Sequence, residues 1–365
     1  MKFLHLSDLH LGKRVYGFPM LNEQRHALSQ AVSLAEDNGI GAILVSGDVY
    51  DRGVPPVEAL DAFDEFVTQV ASKGMSLFAI AGNHDSPERL AFGRRIMQKG
   101  NVHFAGSLKG AALPRVTLTD AYGPLHVYML PYQRVQDAID ALSFSDAQDG
   151  VRRLLLSHQF VTSGSSEPQF SGSEGRVSVG GLDNVDASLY LPYGYVALGH
   201  IHRHQKVGRE TIRYSGSPLC LSFAELGQEK GALIVDWREK EDIRISFHPF
   251  QPLLPFAEIS CCLSELAKSN VPREAYCRVV LLDEGPIIDA IGKVRELYPN
   301  TMLLEFASQL SYHGEALEKG AEEIAAMTPA ELFRDFFEEQ CGKPLSDSQA
   351  DMFASAMAES DALVE

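Results

Sequence analysis

The chain is poor in positive charge: 32 lysines and arginines stand against 49 aspartates and glutamates, for a formal net charge of −17 over 365 residues. Proteins that grip nucleic acid non-specifically present a basic face. Any nucleic-acid role must therefore draw its positive charge from metal ions, a local patch or a partner. Cysteine is also scarce. Its five copies, Cys220, Cys261, Cys262, Cys277 and Cys341, are odd in number and form no CxxC pair. That usage argues against a disulfide framework and for reduced thiols in a cytoplasm. No apolar run approaches the roughly 20 residues that cross a bilayer. The amino terminus lacks a basic segment followed by a long apolar stretch, so neither a membrane span nor a secretory signal is expected. What the chain does have is apolar content, 45% of its residues, enough for a core in a length that suits two or three domains.

Five short apolar runs end alike. "LHLSDLHLG" (residues 4–12) leads to Asp8 and His10, "AILVSGD" to Asp48, and "SLFAIAGNHD" to Asn83, His84 and Asp85. "RLLLSH" ends on His158 and "YVALGHIH" on His200 and His202. Between the first three lie residues 23–39 and 56–74, with helical apolar spacing closed by Gly39 and Gly74. Strand, helix, strand, helix predicts an α/β layer of parallel strands, whose ligands bind beyond the carboxyl ends. All five clusters then converge on one edge, and a period-two backbone points Asp8 with His10, and His200 with His202, the same way.

The set Asp8, His10, Asp48, Asn83, His158, His200 and His202 mixes carboxylate, amide and imidazole without thiolate, which suits Mn, Fe or Zn. Seven donors exceed the needs of one ion with an open position and fit two ions sharing a carboxylate. Asp48, from the most apolar run, is the expected bridge. Singly these residues carry little: an Asp-x-His is more often a turn, and Asp48 is as readily a helix cap. Five matching strand ends carry the metal reading together. His5, inside the first strand, is read as structural, as are His26, His103, His126, His204, His248 and His313, which stand apart from the strand ends.

In order and spacing, "DLH", "GDVYD", "GNHD", "SHQ" and "GHIH" resemble the blocks of the calcineurin-like metallophosphoesterases. "ALGHIHRHQ" followed by "YSGSPLCLSFAELGQEKG" narrows the resemblance to the bacterial repair nucleases that process DNA ends beside a coiled-coil ATPase. The resemblance implies an α/β sandwich of two sheets flanked by helices over residues 1–250. It also implies a small α/β capping domain over 257–310 and a helical partner-binding tail over 321–365. It implies two Mn2+ ions, with Mg2+, Fe2+ or Zn2+ as alternatives. One would be held by Asp8, His10, Asp48 and His202, the other by Asp48, Asn83, His158 and His200. His84 would be the catalytic histidine near the scissile phosphate, giving the leaving sugar oxygen its proton, with Asp85 orienting it. Ser157 before His158 is a mild departure, and no ligand is missing. The implied activity is exo- and endonucleolytic cleavage of DNA in repair, recombination and replication. The implied assembly is a homodimer within a heterotetramer with the ATPase.

Arg52 in "YDRG" is a candidate phosphate contact, since a guanidinium pairs bidentately with phosphate. Arg89, Arg94, Arg95 and Lys99 in "ERLAFGRRIMQKG" form the best local basic patch, although Arg94 and Arg95 singly read as a solvated helix face. The helix face near "LNEQRHALSQA" is a candidate dimer contact. Beyond a proline-bearing connector at 251–256, "AYCRVVLLD" and "TMLLEF" read as strands around a helix, "PIIDAIGKVRELYPN". In the tail, Thr328, Pro329 and Glu331 spell a capping box. The helix it starts carries Leu332, Phe333, Phe336 and Phe337 and stops near Gly342. Ser346 and Gln349 begin a second such helix with Met352, Phe353, Ala356 and Met357 as its stripe. Two short helices with such faces must dock on the body or a partner; the resemblance favours the ATPase. Two other readings stand: a metal-dependent phosphatase or small-molecule phosphodiesterase, because "GDVYDRG" with "GNHD" is similar to the protein phosphatases, and a non-catalytic scaffold for an ATPase.

Overall fold

Alternate residues of the first strand, Lys2–Leu6, serve two different cores. Leu4 and Leu6 join the cluster under the helices, while Phe3 joins a second cluster built from both sheets of the molecule. The computed structural model describes residues 1–108, 112–143, 151–164, 166–174, 184–283, 285, 287–307, 328–341, 344–346, 348–350 and 352–353.

A six-stranded sheet runs in spatial order Ile243–Pro249, Gly231–Trp237, Lys2–Leu6, Ala42–Val45, Ser76–Ile80, Val102–Ala105. Its last four strands are parallel, and Gly231–Trp237 pairs antiparallel with Lys2–Leu6. A second six-stranded sheet runs Gln205–Val207, Arg209–Tyr214, Tyr195–Leu198, Arg152–Ser157, Gly123–Leu130, Arg115–Asp120. The sheets pack face to face through Phe3, Leu44, Phe78 and Ile80 from the first and Val127, Leu154, Leu156 and Ala197 from the second. The two-sheet sandwich expected from the resemblance is therefore the architecture; the parallel layer read from the first three runs is part of one sheet, and the other two runs lie in the second. The first three polar clusters end strands of one sheet and the last two end strands of the other. Period-two burial cannot tell two stacked sheets from one sheet covered by helices, because either partner buries both faces.

Helices Leu21–Asp37 and Val57–Ser72 cover the outer face of the first sheet with Ala31, Val32, Phe63 and Phe66. Helix Val135–Ser143 covers the second sheet with Ala138, Ala141 and Leu142. Helix Leu21–Asp37 buries Ala27, Leu28, Ala31, Val32 and Ala35 in this core and leaves Asn22 and Ser29 of the suggested dimer-contact stretch exposed.

The chain divides into two compact units. One comprises Met1–Ile259, Ser264–Val279 and Asp289–Leu304, and the other Ser260–Leu263, Val280–Ile288 and Glu305–Glu365. A three-stranded sheet, Phe256–Cys261, Tyr276–Leu281 and Thr301–Phe306, has Tyr276–Leu281 at its centre. Its helix is Ala290–Leu297, shorter than "PIIDAIGKVRELYPN" promised, because Asp289 in a left-handed conformation (φ 49°) caps it through the Gly292 amide. Within the first unit, Met302 and Phe256 pack with Phe18 and Phe223.

In the tail, helix Pro329–Cys341 has the expected capping box: the Glu331 amide donates to Thr328 Oγ1, and the Thr328 amide donates to Glu331 Oε2 at 2.8 Å. Phe333 stacks on Phe353 with ring centroids 4.0 Å apart, so the two tail segments meet. Leu332, Phe336 and Met352 remain exposed. Gly342, Ala356 and Met357 lie outside the described residues. No described helix is long and apolar enough to cross a membrane.

Trp237, the sole tryptophan, is 1% exposed and lies over Gly194. A Cβ at Gly194 would sit 2.5 Å from Trp237 Cζ2. Gly194→Ala is expected to cost about 1–3 kcal/mol through overpacking, read as a lower urea midpoint in Trp237 emission. An unchanged midpoint would mean the indole shifts aside freely.

Candidate metal centre

Asp48 stands at the centre of the site, 2% exposed, where loops of both sheets meet. Its Oδ2 lies 3.7 Å from His10 Nε2 and 3.5 Å from His158 Nε2. Its Oδ1 accepts the His84 amide at 2.9 Å. Three groups of donors cluster here: Asp8, His10 and His202; His10, Asp48 and His84; and Asp8, Asp48 and His158. Asn83 Oδ1 lies 3.1 Å from His158 Nε2 and 3.0 Å from His200 Nδ1. All seven residues expected as ligands are thus brought together around one carboxylate.

Their convergence does not come from strand pleat. The strand ends at Leu6, and Asp8 (φ 53°), His10 (φ 45°), Asp48 (φ 48°) and His200 (φ 98°) all adopt left-handed backbone. They are four of the seven non-glycine residues that do so among those described. Such backbone costs about 1–3 kcal/mol each and gathers at functional sites. His200 and His202 also diverge rather than point alike: His200 faces Asn83, while His202 Nε2 meets His10 Nε2 at 3.1 Å.

The hydrogen bonds at the back of the imidazoles fix what faces inward. His158 Nδ1 donates to Ser46 O at 2.7 Å, so its Nε2 faces Asp48 and Asn83 Oδ1. His202 Nδ1 is held by Ser173 Oγ and Glu225 Oε1, so its Nε2 faces His10. His10 Nδ1 is buried without a hydrogen bond. Lone pairs converging at 3.1–3.7 Å repel unless a proton or a cation lies between them. Second partners of this kind are how metal-binding histidines are oriented. The residues present fit divalent ions on this ground. Burial holds His10 well below the ordinary histidine range and His200 down to about 3, leaving both neutral. Burial opposes protonation of His158 as well, but the Asp48 and Asp8 carboxylates outweigh it and push the group up to about 9. Asp48 is in turn held below the carboxylate range by His158 and His10, against its burial.

Two expectations change. Asp85 does not orient His84; its carboxylate accepts the Val49, Tyr50 and Gly82 amides at 2.8–3.1 Å, clamping two ligand loops together. Burial, and then the Asp48 charge, push that carboxyl up to about 6. His84 is instead oriented by its own Nδ1–H, donated to the Asp51 carbonyl at 2.9 Å. Among the arginines, Arg89 donates to Gly53 O at 2.6 Å, a tie between loops; Arg52 and Arg95 are exposed and Arg94 is half-buried. His5, read as structural, bonds Tyr195 Oη and the Leu198 carbonyl, and burial lowers it to about 3.

Other supports were not anticipated. Gln24 donates to the carbonyls of Leu9 and His10 and accepts the Gly12 amide, bracing the first ligand loop. Glu174 accepts the His202 amide at 2.9 Å. Glu225, 1% exposed, holds His202 Nδ1, the Leu221 amide and, at 2.9 Å, Lys230 Nζ. A polar run such as "FAELGQEKG" reads as surface, and only the fold reveals that Glu225 and Lys230 are buried. Gly199 is required by close approach: a Cβ there would lie 1.9 Å from Ser46 O of the opposite sheet.

Residues 1–204, more than half of the chain, match the model of the calcineurin-like phosphoesterases. The chain belongs to that family. It is accordingly a phosphoesterase, a hydrolase whose donor set is built for divalent metals. Residues 248–340 match a second model, the type 5 capsule protein repressor C-terminal domain. Among curated relatives it is similar to the SbcD subunit of the nuclease SbcCD from Staphylococcus epidermidis, at 25% identity over 96% of both chains. It is likewise similar to the SbcD subunit from Bacillus subtilis, at 27% identity over 96% of this chain and 95% of that one. Among solved structures, a dimetal phosphatase from Danio rerio matches with a TM-score of 0.44 and 12% identity, covering 68% of this chain and 96% of that one.

Glu225→Gln keeps the side chain's shape but removes the charge that orients His202. Mn2+ affinity measured by calorimetric titration is expected to fall about 10–100-fold. Unchanged affinity would reduce Glu225 to a packing residue.

Proposed function

We propose that the chain is the Mn2+-dependent DNA nuclease subunit of a complex with an SbcC-like coiled-coil ATPase, cutting DNA ends and hairpins both exo- and endonucleolytically in the cytoplasm. One observation carries the reading. Asp48, placed between His10 and His158, joins two convergent donor sets in a chain whose relatives, matched over 96% of its length, are named as nuclease subunits. In this reading Asp8, His10, Asp48 and His202 hold one ion, and Asp48, Asn83, His158 and His200 hold the other. Two cations so held would neutralise phosphate oxygens and lower the pKa of a coordinated water. A site of imidazole, carboxylate and amide suits Mn2+ among the hard-to-borderline ions, with Mg2+, Fe2+ and Zn2+ as the competitors to compare.

The chain's own contribution is positioning and proton transfer. With Nδ1 bound to the Asp51 carbonyl, His84 has Nε2 as its free nitrogen, half-buried beside Asp48 and suited to protonating a leaving sugar oxygen. Asp85 keeps the Asp48 and Asn83 loops in register from behind. Arg52 and Arg95 are the exposed cations offered to phosphate, with Arg94 beside them. A homodimer is supported by exposed Val54, Val57, Leu60, Phe92 and Ile96, apolar side chains of two segments tied by the Arg89–Gly53 bond. Exposed Leu332, Phe336 and Met352 support a tail that binds the ATPase.

His84→Ala is expected to retain Mn2+ binding and to cleave a labelled blunt or hairpin duplex about 10²–10⁴-fold more slowly; loss of the metal would make His84 a ligand instead. Asp48→Asn should abolish cleavage. Turnover of a small chromogenic phosphodiester with DNA left intact, even with the ATPase present, would favour the small-substrate reading. Phe336→Glu should weaken co-purification with the ATPase while leaving small-ester turnover unchanged, and undiminished binding would remove the tail from the interface.

A further inference from the structure

Beside the Asn83, His158 and His200 donor group, one large aromatic side chain is left in solvent. Tyr132 is 45% exposed, although it follows a buried strand, Gly123–Leu130, by only two residues. Its amide donates to Ala81 O at 2.8 Å, which ties its backbone to the loop carrying Asn83 and His84. Its ring lies 28° from the plane of His200, with centroids 6.4 Å apart, and edge-on to His158 at 6.3 Å. Asn83 is exposed and His84 and His200 are half-buried, so Tyr132 stands on the open side of the centre.

We infer that Tyr132 is a nucleobase platform: a base of the strand being cut stacks on its exposed face and so sets the adjoining phosphate against the donor group. The inference rests on the nuclease reading and adds the part of the substrate that the metal site itself cannot grip. A pinned backbone and two restricted χ angles make the ring a rigid surface with little ordering left to lose on binding. Stacking accepts any base, because every base has a π-face. It also works without lysine or arginine, which suits a chain of net charge −17. A purely shielding role, the ring keeping water from His158 and His200, would affect every phosphodiester alike.

The discriminating experiment uses the full-length protein with Mn2+ and three substrates. These are a single-stranded oligonucleotide, the same strand with an abasic residue beside the scissile phosphate, and a small chromogenic phosphodiester. Tyr132→Ala is expected to lower kcat/KM on the intact strand about tenfold or more, mainly through KM, with Tyr132→Phe and Tyr132→Trp restoring it. Wild type and Tyr132→Ala should cut the abasic strand equally poorly and the small ester equally well. If wild type cuts DNA and Tyr132→Ala matches it, or loses the small ester in parallel, the platform is overturned and the nuclease reading stands. If wild type hydrolyses only the small ester, both fall.

Discussion

The molecule is organised around one buried carboxylate. Asp48 is almost without solvent at the seam between two sheets, and an isolated charge in such a place costs several kcal/mol. The seam meets that cost with directed groups: the His84 amide on one oxygen, and His10 and His158 beside the other. Each is held from behind by a bond that fixes its orientation: the Ser46 carbonyl behind His158, the Asp51 carbonyl behind the His84 ring, and Gln24 behind the loop of His10. Because the donors come from both sheets, and His158 of the second is held by a carbonyl following a strand of the first, the sandwich must be assembled before the donors face one another. Stability of the fold and competence of the site are therefore the same requirement here.

The same requirement explains the backbone. A strand that simply continued would alternate Asp8 and His10 outward with Leu9 inward, and the carboxylate and imidazole would leave the seam. Left-handed conformations at Asp8, His10, Asp48 and His200 turn the chain so that consecutive polar side chains enter the same space while Leu9 and Leu11 stay buried. The strain persists because neighbouring contacts over-determine it. The Asp8 amide donates to Gly47 O, the His10 amide to Asp48 O, and Asp8 itself accepts the His200 amide. Such bonds, two between neighbouring loops of one sheet and the last from sheet to sheet, hold geometry to the precision that metal chemistry needs.

The convergence of the seven residues expected as ligands was legible because each ends an apolar run, and strand ends are where open sheets place their sites. Their grouping was legible only as far as Asp48, the residue with two histidine neighbours. What could not be read were consequences of tertiary burial. Glu225 and Lys230 look like a solvated run until the fold encloses them. Asp85 follows His84 and was read as its partner, yet adjacency in sequence says nothing about which way a side chain turns once the backbone bends. The two sheets were invisible to periodicity for a related reason: a strand covered on both faces has one pattern whether a helix or another sheet covers it. Phe333 and Phe353, spaced as helix faces, meet each other, which no local pattern could reveal.

The acidic composition then takes on a definite meaning. A protein that held DNA through many lysine–phosphate contacts would bind anywhere along the duplex and lose affinity steeply with salt. This chain has few cations to spend that way, and one of the best placed, Arg89, is committed to a backbone carbonyl. On the nuclease reading, attraction for the polyanion is concentrated where chemistry occurs, in the ions at Asp48 and the ring of Tyr132. The remaining acidic surface repels long contacts with the backbone. Such a nuclease gains little by gripping intact duplex and most where a phosphate and a free base reach the centre together, as they do at ends and hairpin tips. Holding the rest of the DNA then falls to a partner. Exposed Leu332 and Phe336 are consistent with that division of labour, since they offer apolar surface where a DNA-binding tail would offer charge.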